Sequence, residues 1–449
     1  MTTPRVSRLL LALIATAGAA LVQGAAPEST QWYKGNLHTH SLWSDGDDYP
    51  EMIADWYKRS GYQFLAISDH NVLQQGLKWY ELKAPVSVGG NVSHRGTGPV
   101  MEKYLQRFGP DWVQLRDEGE KRFVRLKPLD EYRSLLEEPG KFLMIPSEEI
   151  TGSWKQPKTA TQPERGGPVH INLTNPREFV KPVEAADAVT VMQQTLDAVH
   201  AQRQRTGQPM IAHINHPSFR WGITAEDLMQ VKGDLFFEVY NGHPGVENAG
   251  DGTRLSMDAM WDVILTKRLT ELKLGPVFGI GVDDSHNYHA IGLGRSNVGR
   301  GWVVVRAQHL TAESIVKALE AGDFYASSGV ALRDVTRAGD RLAVAIQAEP
   351  GVTYRTQFIG TRRGYAKGSQ EMLPPQSEKQ PRRTLPHRRY SPEVGAVLAE
   401  VAGTQASFTL RGDEIYVRAK IISSKLKNNG SVAGEYETAW TQPLVNAKP

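Results

Sequence analysis

Short apolar runs recur along this chain, and nearly every one ends in a histidine or a carboxylate. Residues 33–37 lead into His38 and His40, residues 63–68 into Asp69 and His70, and residues 141–145 into Glu148 and Glu149. Residues 169–173 carry His170, and residues 209–212 lead into His213 and His216. Residues 235–240 end at Asn241-Gly242, and residues 276–282 end at Asp283-Asp284-Ser285-His286. Runs this short, bounded by polar residues, read as strands. Residues 51–60, 185–203, 224–231, 255–267 and 312–321 carry the spacing of amphipathic helices between or after them. Alternating strands and helices predict a parallel sheet. Polar chemistry at nearly every strand end favours a closed or nearly closed β/α barrel with its site at the C-terminal rim of the strands. An open doubly wound sheet is the alternative, and it would gather function at one switch point.

The residue types at those ends are metal-ligand types. In an extended strand, residues i and i+2 point to the same side, so His38 and His40 can reach one ion together. The pair alone also fits two hydrogen-bonded strand histidines, and the rest of the series favours the ion. Asp45 follows at a bend made by Asp45-Gly46. Glu148 and Glu149 are adjacent and face opposite ways on a strand, and His213 and His216 share one segment. The chain has no cysteine, which excludes disulfides, thiolate metal sites and a cysteine nucleophile. Any metal must be held by imidazole and carboxylate, a set that suits Zn, Mn or Fe(II).

Residues 1–24 read as a secretory signal peptide, with Arg5 and Arg8 in the n-region, an apolar stretch over 9–22, and cleavage near Gly24. The stretch is short for a bilayer span, and no later segment is apolar enough to cross a membrane. The expectation is a soluble mature protein outside the cytoplasm, most simply in a bacterial periplasm. The 52 basic and 49 acidic residues nearly balance, which argues against a nucleic-acid or acidic-lipid binder. Basic runs at 362–364 and 382–390 read as solvated faces.

Residues 74–135 interrupt the alternation and are rich in aromatics and arginine, including Trp79, Tyr80, Tyr104, Arg107, Phe108 and Trp112. So long a structureless loop is uncommon, and the stretch is expected to form a helical cap over the strand ends, with an insertion that only packs on the outside as the alternative. After residue 330 the helical spacing stops. Short alternating runs divided by Gly, Pro, Asn and Asp predict an all-β, sandwich-like domain over 331–449, with 376–392 as a surface loop.

The ordered motifs His-x-His, Ser-Asp-Gly, Ser-Asp-His-Asn, Glu-Glu-Ile-Thr, His, Asn-His-Pro and Asp-Ser-His resemble the PHP (polymerase and histidinol phosphatase) metallohydrolases. The secreted branch related to carbaryl hydrolase, with its β-rich C-terminal domain, is the most similar. The resemblance implies a distorted seven-stranded, TIM-like β/α barrel over 32–330 with two or three divalent ions at its rim. It implies that His38, His40 and Asp284 hold a first ion, that Glu149 bridges it to a second, and that His170 and His216 complete the second. Asp45, His70 and His286 would hold a third, and many members carry histidine at the position of Asp45. The family pattern picks Glu149 over Glu148 and His216 over His213, leaving His213 behind the ligands or at the rim.

The donor count points the same way. Six imidazoles and three carboxylates crowded together would suffer desolvation and unpaired charge, which divalent ions remove. A hydroxide bridging two such ions, held through Glu149, is nucleophilic at neutral pH. Asp69 and Asp283 are expected to orient ligand histidines. His243, just past a strand end, is expected at the surface or in the cap, with substrate contact or protonation of a leaving group as the alternative. Arg220 and Trp221 could meet an anionic or aromatic group, or simply form a structured loop. His94 and His289 are expected at the surface or in the cap. The expected activity is metal-dependent phosphoester hydrolysis of a small-molecule substrate, an anionic or aromatic ester. The alternatives are a carbamate, ester or amide hydrolase on the same site, and a non-enzymatic metal- or glycan-binding protein.

Overall fold

The apolar runs form strands, and the lengths of those strands decide how the sheets meet. The computed structural model describes residue 1 and residues 30–83, 86–88, 91–159, 164–233, 235–372 and 387–446. The runs become Gln31–Asn36, Phe64–Leu65, Leu143–Met144, Arg165–Thr174, Ile211–Ile214, Leu235–Asn241 and Val277–Val282. Helices Pro50–Arg59, Ala188–Thr206, Ala225–Leu228, Met257–Lys267 and Ala312–Glu320 occupy the segments with helical spacing. Their ends carry local signals. The Asp187 side chain accepts the Thr190 amide at the start of Ala188–Thr206, and Gly207 ends that helix at φ 67°. The leader from residue 2 to residue 24 and most of the 376–392 loop lie outside the described residues. No helix among the described residues is long and apolar enough to cross a membrane.

The strands divide between two sheets. One is six-stranded, in the order Glu184–Ala185, Ser147–Gln156, Arg165–Thr174, Ile211–Ile214, Leu235–Asn241, Val277–Val282. The other is ten-stranded, and Gln31–Asn36, Phe64–Leu65 and Leu143–Met144 form one end of it. The hydrogen-bonded ladders therefore do not close into the seven-stranded ring expected from the sequence. Two of the connecting strands are only two residues long, and Ser147–Gln156 pairs antiparallel with Arg165–Thr174 as a hairpin. Isolated parallel bridges stitch the two sheets together, Thr39 to Ser285 just past two strand ends and His70 to Glu149 near the start of Ser147–Gln156.

Ser147–Gln156 is a strand that the apolar pattern does not announce. Its sequence, SEEITGSWKQ, is polar, yet its first four residues are buried. Trp302–Ala307 and Phe324–Ser327 add further antiparallel strands beside Gln31–Asn36.

The 74–135 insertion is mixed rather than all-helical as expected. It contains helices Pro99–Phe108 and Leu129–Leu136, and also a three-stranded antiparallel sheet of Lys78–Glu81, Lys121–Leu126 and Leu115–Glu118. Its apolar side chains pack on the segment after the first strand. Leu42, Trp43 and Tyr49 share a core with Val100, Tyr104, Val113, Val124 and Leu126. Tyr49 stacks on Tyr104 at 3.9 Å between ring centres.

Hydrogen bonding is continuous across residue 330. Tyr436–Thr441 pairs with Phe324–Ser327, so the large sheet runs from the chain's first strand into its last third. A three-stranded sheet of Leu332–Ala338, Arg341–Ile346 and Gln405–Thr409 covers it through a core that includes Val304, Tyr325, Leu342, Phe358, Phe408 and Val417. A buried ion pair adds to this join. Arg418 is fully buried, and its Nε and Nη2 donate to the two oxygens of Asp262 at 2.8 and 2.6 Å while Nη1 reaches Asp258 at 3.1 Å. Both aspartates lie on Met257–Lys267. Arg418→Leu strands the Asp262 carboxylate in the interior, and urea unfolding of the full chain should show a loss of about 3–5 kcal/mol. An unchanged midpoint would mean that the ion pair does not hold the two parts together.

Candidate metal centre

All nine predicted ligands converge on one place. His38 and His40 leave the first strand on the same side, and their Nε2 atoms lie 3.1 Å apart. Both rings are fully buried. Asp284, from the far end of the six-stranded sheet, brings Oδ1 to 3.3 Å from each of those nitrogens. Its backbone is left-handed at φ 50°, a strained state for aspartate, held by its amide donating to the His38 carbonyl.

Glu149 is the centre of the cluster. Its Oε1 lies 3.0 Å from His170 and 3.5 Å from both His38 and His216, and its Oε2 lies 2.8 Å from His70 and 3.3 Å from His40. Glu148 points away, accepting the Val180 amide at 2.8 Å, as strand alternation requires. Burial pushes the Glu148 carboxyl up to about 8. At the mouth, Asp45 is half exposed, 3.3 Å from His286 and 3.5 Å from His70. Donor atoms within 4.8 Å of one another form overlapping groups: His40, Asp45, His70 and His286; His38, His40 and Glu149; His38, His216 and Asp284; His70, Glu149 and His170. The predicted division into separate sites is thus blurred, because His38, His40, His70 and Glu149 each belong to more than one group.

The geometry suits metal ligands better than simple ion pairs. Glu149 Oε2 and His170 Nδ1 are buried and close to opposite partners, yet neither is in hydrogen-bonding geometry. Groups aimed at a shared point between them behave this way. The tautomers are set from behind. His38 Nδ1 donates to Glu238 at 2.6 Å and His286 Nδ1 donates to the Asp284 carbonyl at 3.0 Å, leaving both Nε2 lone pairs facing the cluster. Burial alone would depress every imidazole here. The carboxylates override it at His38, His70, His216 and His286, and carry His70 up to about 11. Burial leaves His40 at about 4 and His170 below its ordinary value. Glu149 and Asp284, which burial would raise, are held well below the carboxylate range by the surrounding imidazoles. The bare cluster thus needs protons to balance its buried carboxylates, and a divalent ion fits where those protons sit.

Glu238 is the residue that sequence reasoning missed. It is fully buried and takes His38 Nδ1, the His216 amide at 2.7 Å, Asn241 Nδ2 at 2.8 Å and His213 Nε2 at 3.3 Å. The available signal was a lone acid inside the apolar run 235–240. His213 lies against Glu238, and with Glu238 and His38 it forms a further group of donor atoms within 4.8 Å of one another. Asp69 does something other than orient a histidine directly. It accepts Ser41 N, Ser41 Oγ, Ser44 Oγ and Gln74 Nε2 at 2.6–2.8 Å, and so shapes the loop that carries Asp45. Asp283 accepts Tyr57 and the amides of Gly299, Arg300 and Gly301 at 2.6–2.8 Å, which anchors the strand end instead of a ligand ring.

His243 stands at the rim, 5.6 Å from the His286 ring, and burial pushes it down to about 4. Its Nδ1 accepts the Gly245 amide at 2.9 Å, so the neutral ring carries its proton on Nε2. Arg220 is exposed beside the site, whereas Trp221 turns away toward His387. His289 pairs with Asp48 at 3.3 Å, and His94 lies half-buried in the insertion.

No family model matches this chain, and no curated protein matches it. Among solved structures it is similar to a two-domain protein from Bacteroides vulgatus described as containing a predicted PHP-like metal-dependent phosphoesterase. That match has a TM-score of 0.36 and 14% identity, and covers 92% of this chain and 95% of the other.

The opposite orientations of the adjacent glutamates predict opposite phenotypes. Glu149→Ala should lose bound metal, measured by elemental analysis, whereas Glu148→Gln should keep it. Because Glu148 stands above its ordinary 4.5, its neutral form favours the fold, and that contribution fades as pH rises toward about 8. Calorimetry should therefore show Glu148→Gln melting above the parent at about pH 8.5 and close to it at about pH 5. Metal retained in Glu149→Ala would reverse the assignment.

Proposed function

We propose that this chain is a metal-dependent hydrolase of the PHP type, acting on phosphoesters at a two- or three-ion site. The observation that carries the reading is the convergence of six imidazoles and three carboxylates around buried Glu149. Divalent Zn, Mn or Fe ions bound there would acidify a water and neutralise charge growing on a phosphoryl oxygen. The protein's own part is to hold the donors. Glu149 faces five rings, Glu238 fixes the His38 tautomer, and Asp69 shapes the Asp45 loop. Half-exposed Asp45 marks the open side through which a small substrate enters. His243, with Nε2 protonated, stands where it can donate to a leaving group. The two sheets, stitched at the rim, are read as one distorted barrel, and the 1–24 leader as an export signal to the periplasm.

The test is turnover by protein loaded with Mn or Zn, against aryl phosphomonoesters, phosphodiesters and carbamates. Turnover of carbamates alone would move the assignment to the carbamate hydrolase reading, and no turnover at all would overturn both. Asp45→Asn keeps the shape of the outermost group but removes the charge that offsets an ion. Metal content should fall by one ion per chain, and kcat/KM by about 100-fold, the scale for losing one strong charge stabiliser. Unchanged stoichiometry and rate would leave a two-ion enzyme.

A further inference from the structure

The turn that follows His216 is strained, fastened on two sides, and presents one aromatic ring to the site. Arg220 and Trp221 are consecutive left-handed residues at φ 51° and 53°, and neither is glycine. From below, Trp154 Nε1 donates to the Gly222 carbonyl at 3.0 Å. A Cβ on Gly222 would lie 2.8 Å from the Pro168 carbonyl, two residues before His170. From outside, the Trp221 ring meets His387 edge-on at 5.7 Å, and the Arg254 guanidinium lies 4.2 Å above it.

What this turn delivers is Phe219. Its ring centre lies 5.1 Å from His216, 5.8 Å from His243 and 6.2 Å from His170. The ring is half-buried and joins none of the hydrophobic cores. Gly245 makes room for it, since a Cβ there would come within 3.2 Å of Phe219 and 3.1 Å of His243. The exposed Arg220 guanidinium lies 5.1 Å from the ring centre, and makes no hydrogen bond or ion pair with a described residue. An aromatic face held against imidazoles, with no apolar partner of its own, is matched by a planar apolar ligand group. A cation beyond it, stacked rather than paired, is matched by an anion.

We propose that Phe219 and Arg220 are the substrate-selecting wall of this site, and that it takes aryl phosphoesters whose ring lies along Phe219 and carries a second anionic group toward Arg220. The proposal rests on the hydrolase reading for the phosphoryl end only. Non-hydrolysable phosphonates therefore test it apart from turnover. Calorimetric titration of the Mn-loaded full chain should give phenylphosphonate the tighter binding over methylphosphonate, by about five- to ten-fold, the scale of one aromatic contact. 4-Phosphonobenzoate should bind more tightly still.

In Phe219→Leu the phenyl-to-methyl ratio should fall toward one, and Phe219→Tyr should restore it. Arg220→Gln should remove only the gain from the carboxylate. Equal wild-type binding of the two simple phosphonates, or no binding of phenylphosphonate, would overturn the wall. So would an unchanged ratio in a Phe219→Leu protein with wild-type metal content. Phenyl and methyl phosphate, assayed in parallel, separate the two ideas. Aryl-selective binding without turnover would sink the hydrolase reading, and turnover without aryl selectivity would sink the wall.

Discussion

Glu149 cannot stay ionised in a dry interior unless positive charge meets it. Five imidazoles from four different stretches of chain surround it, and that arrangement sets much of the surrounding architecture. The two sheets do not close through their ladders. They meet where His70 bridges to Glu149 and where Thr39 bridges to Ser285, each within a residue or two of a ligand. Backbone bonds follow the same seam, with Asn71 N donating to the Glu149 carbonyl, Glu149 N to Asp69, and His40 N to Ser285. The electrostatic demand and the closure of the fold are located together. Weakening the donor cluster therefore strains the seam as well as the chemistry.

The convergence of these nine donors was legible in the sequence because apolar runs and polar run-ends coincide. Apolar runs mark the strands, and a polar residue just past a buried run has few roles other than chemistry. Glu238 escaped that logic because it lies inside its run, where alternation places it on the rim-facing side of a strand buried on both faces. Ser147–Gln156 escaped it because Ser147, Glu148 and Glu149 open the strand buried, and only Ile150 and Trp154 add large apolar side chains to the core. Hydrophobic patterning does not find a strand whose first buried residues are polar. Asp69 and Asp283 were recognised as important, but their acceptors face loop hydroxyls and amides. Nothing in one-dimensional spacing separates a carboxylate that orients a ring from one that ties a loop.

The C-terminal region was legible as β structure but not as part of the site's support. Arg300, next to the Asp283 network, is almost fully buried and reaches three separate segments. It donates to the Gly242 carbonyl at 2.8 Å, to Gly292 at 3.0 Å and to Asn429 at 2.9 Å. Asn429 lies in the connection between strands Glu414–Leu426 and Tyr436–Thr441. Beside it, Lys427 donates to the Tyr240 hydroxyl at 2.7 Å and to Glu435 at 2.6 Å. Composition shifts mark a boundary near residue 330, yet these bonds cross it and end one residue from Asn241 and His243.

Strain is distributed in the same pattern. Asn71, His216, Arg220, Trp221 and Asp284 are non-glycine residues at positive φ, and each lies at or beside the site. Such conformations persist only where the surroundings over-determine them. Here the restraints are identifiable: the Asn71 side chain accepts the Thr151 amide at 2.8 Å, the His216 amide is held by Glu238, and the Asp284 amide by the His38 carbonyl. Arg220 and Trp221 differ, because their restraints come from Trp154 beneath and from His387 of the C-terminal region outside. The cluster residues are thus held from within the site, by Glu238 and by one another, whereas the turn beside them is held by the periphery. A substitution far from the metal centre, at His387 or Arg254, can therefore alter the turn's shape while leaving the donors in place.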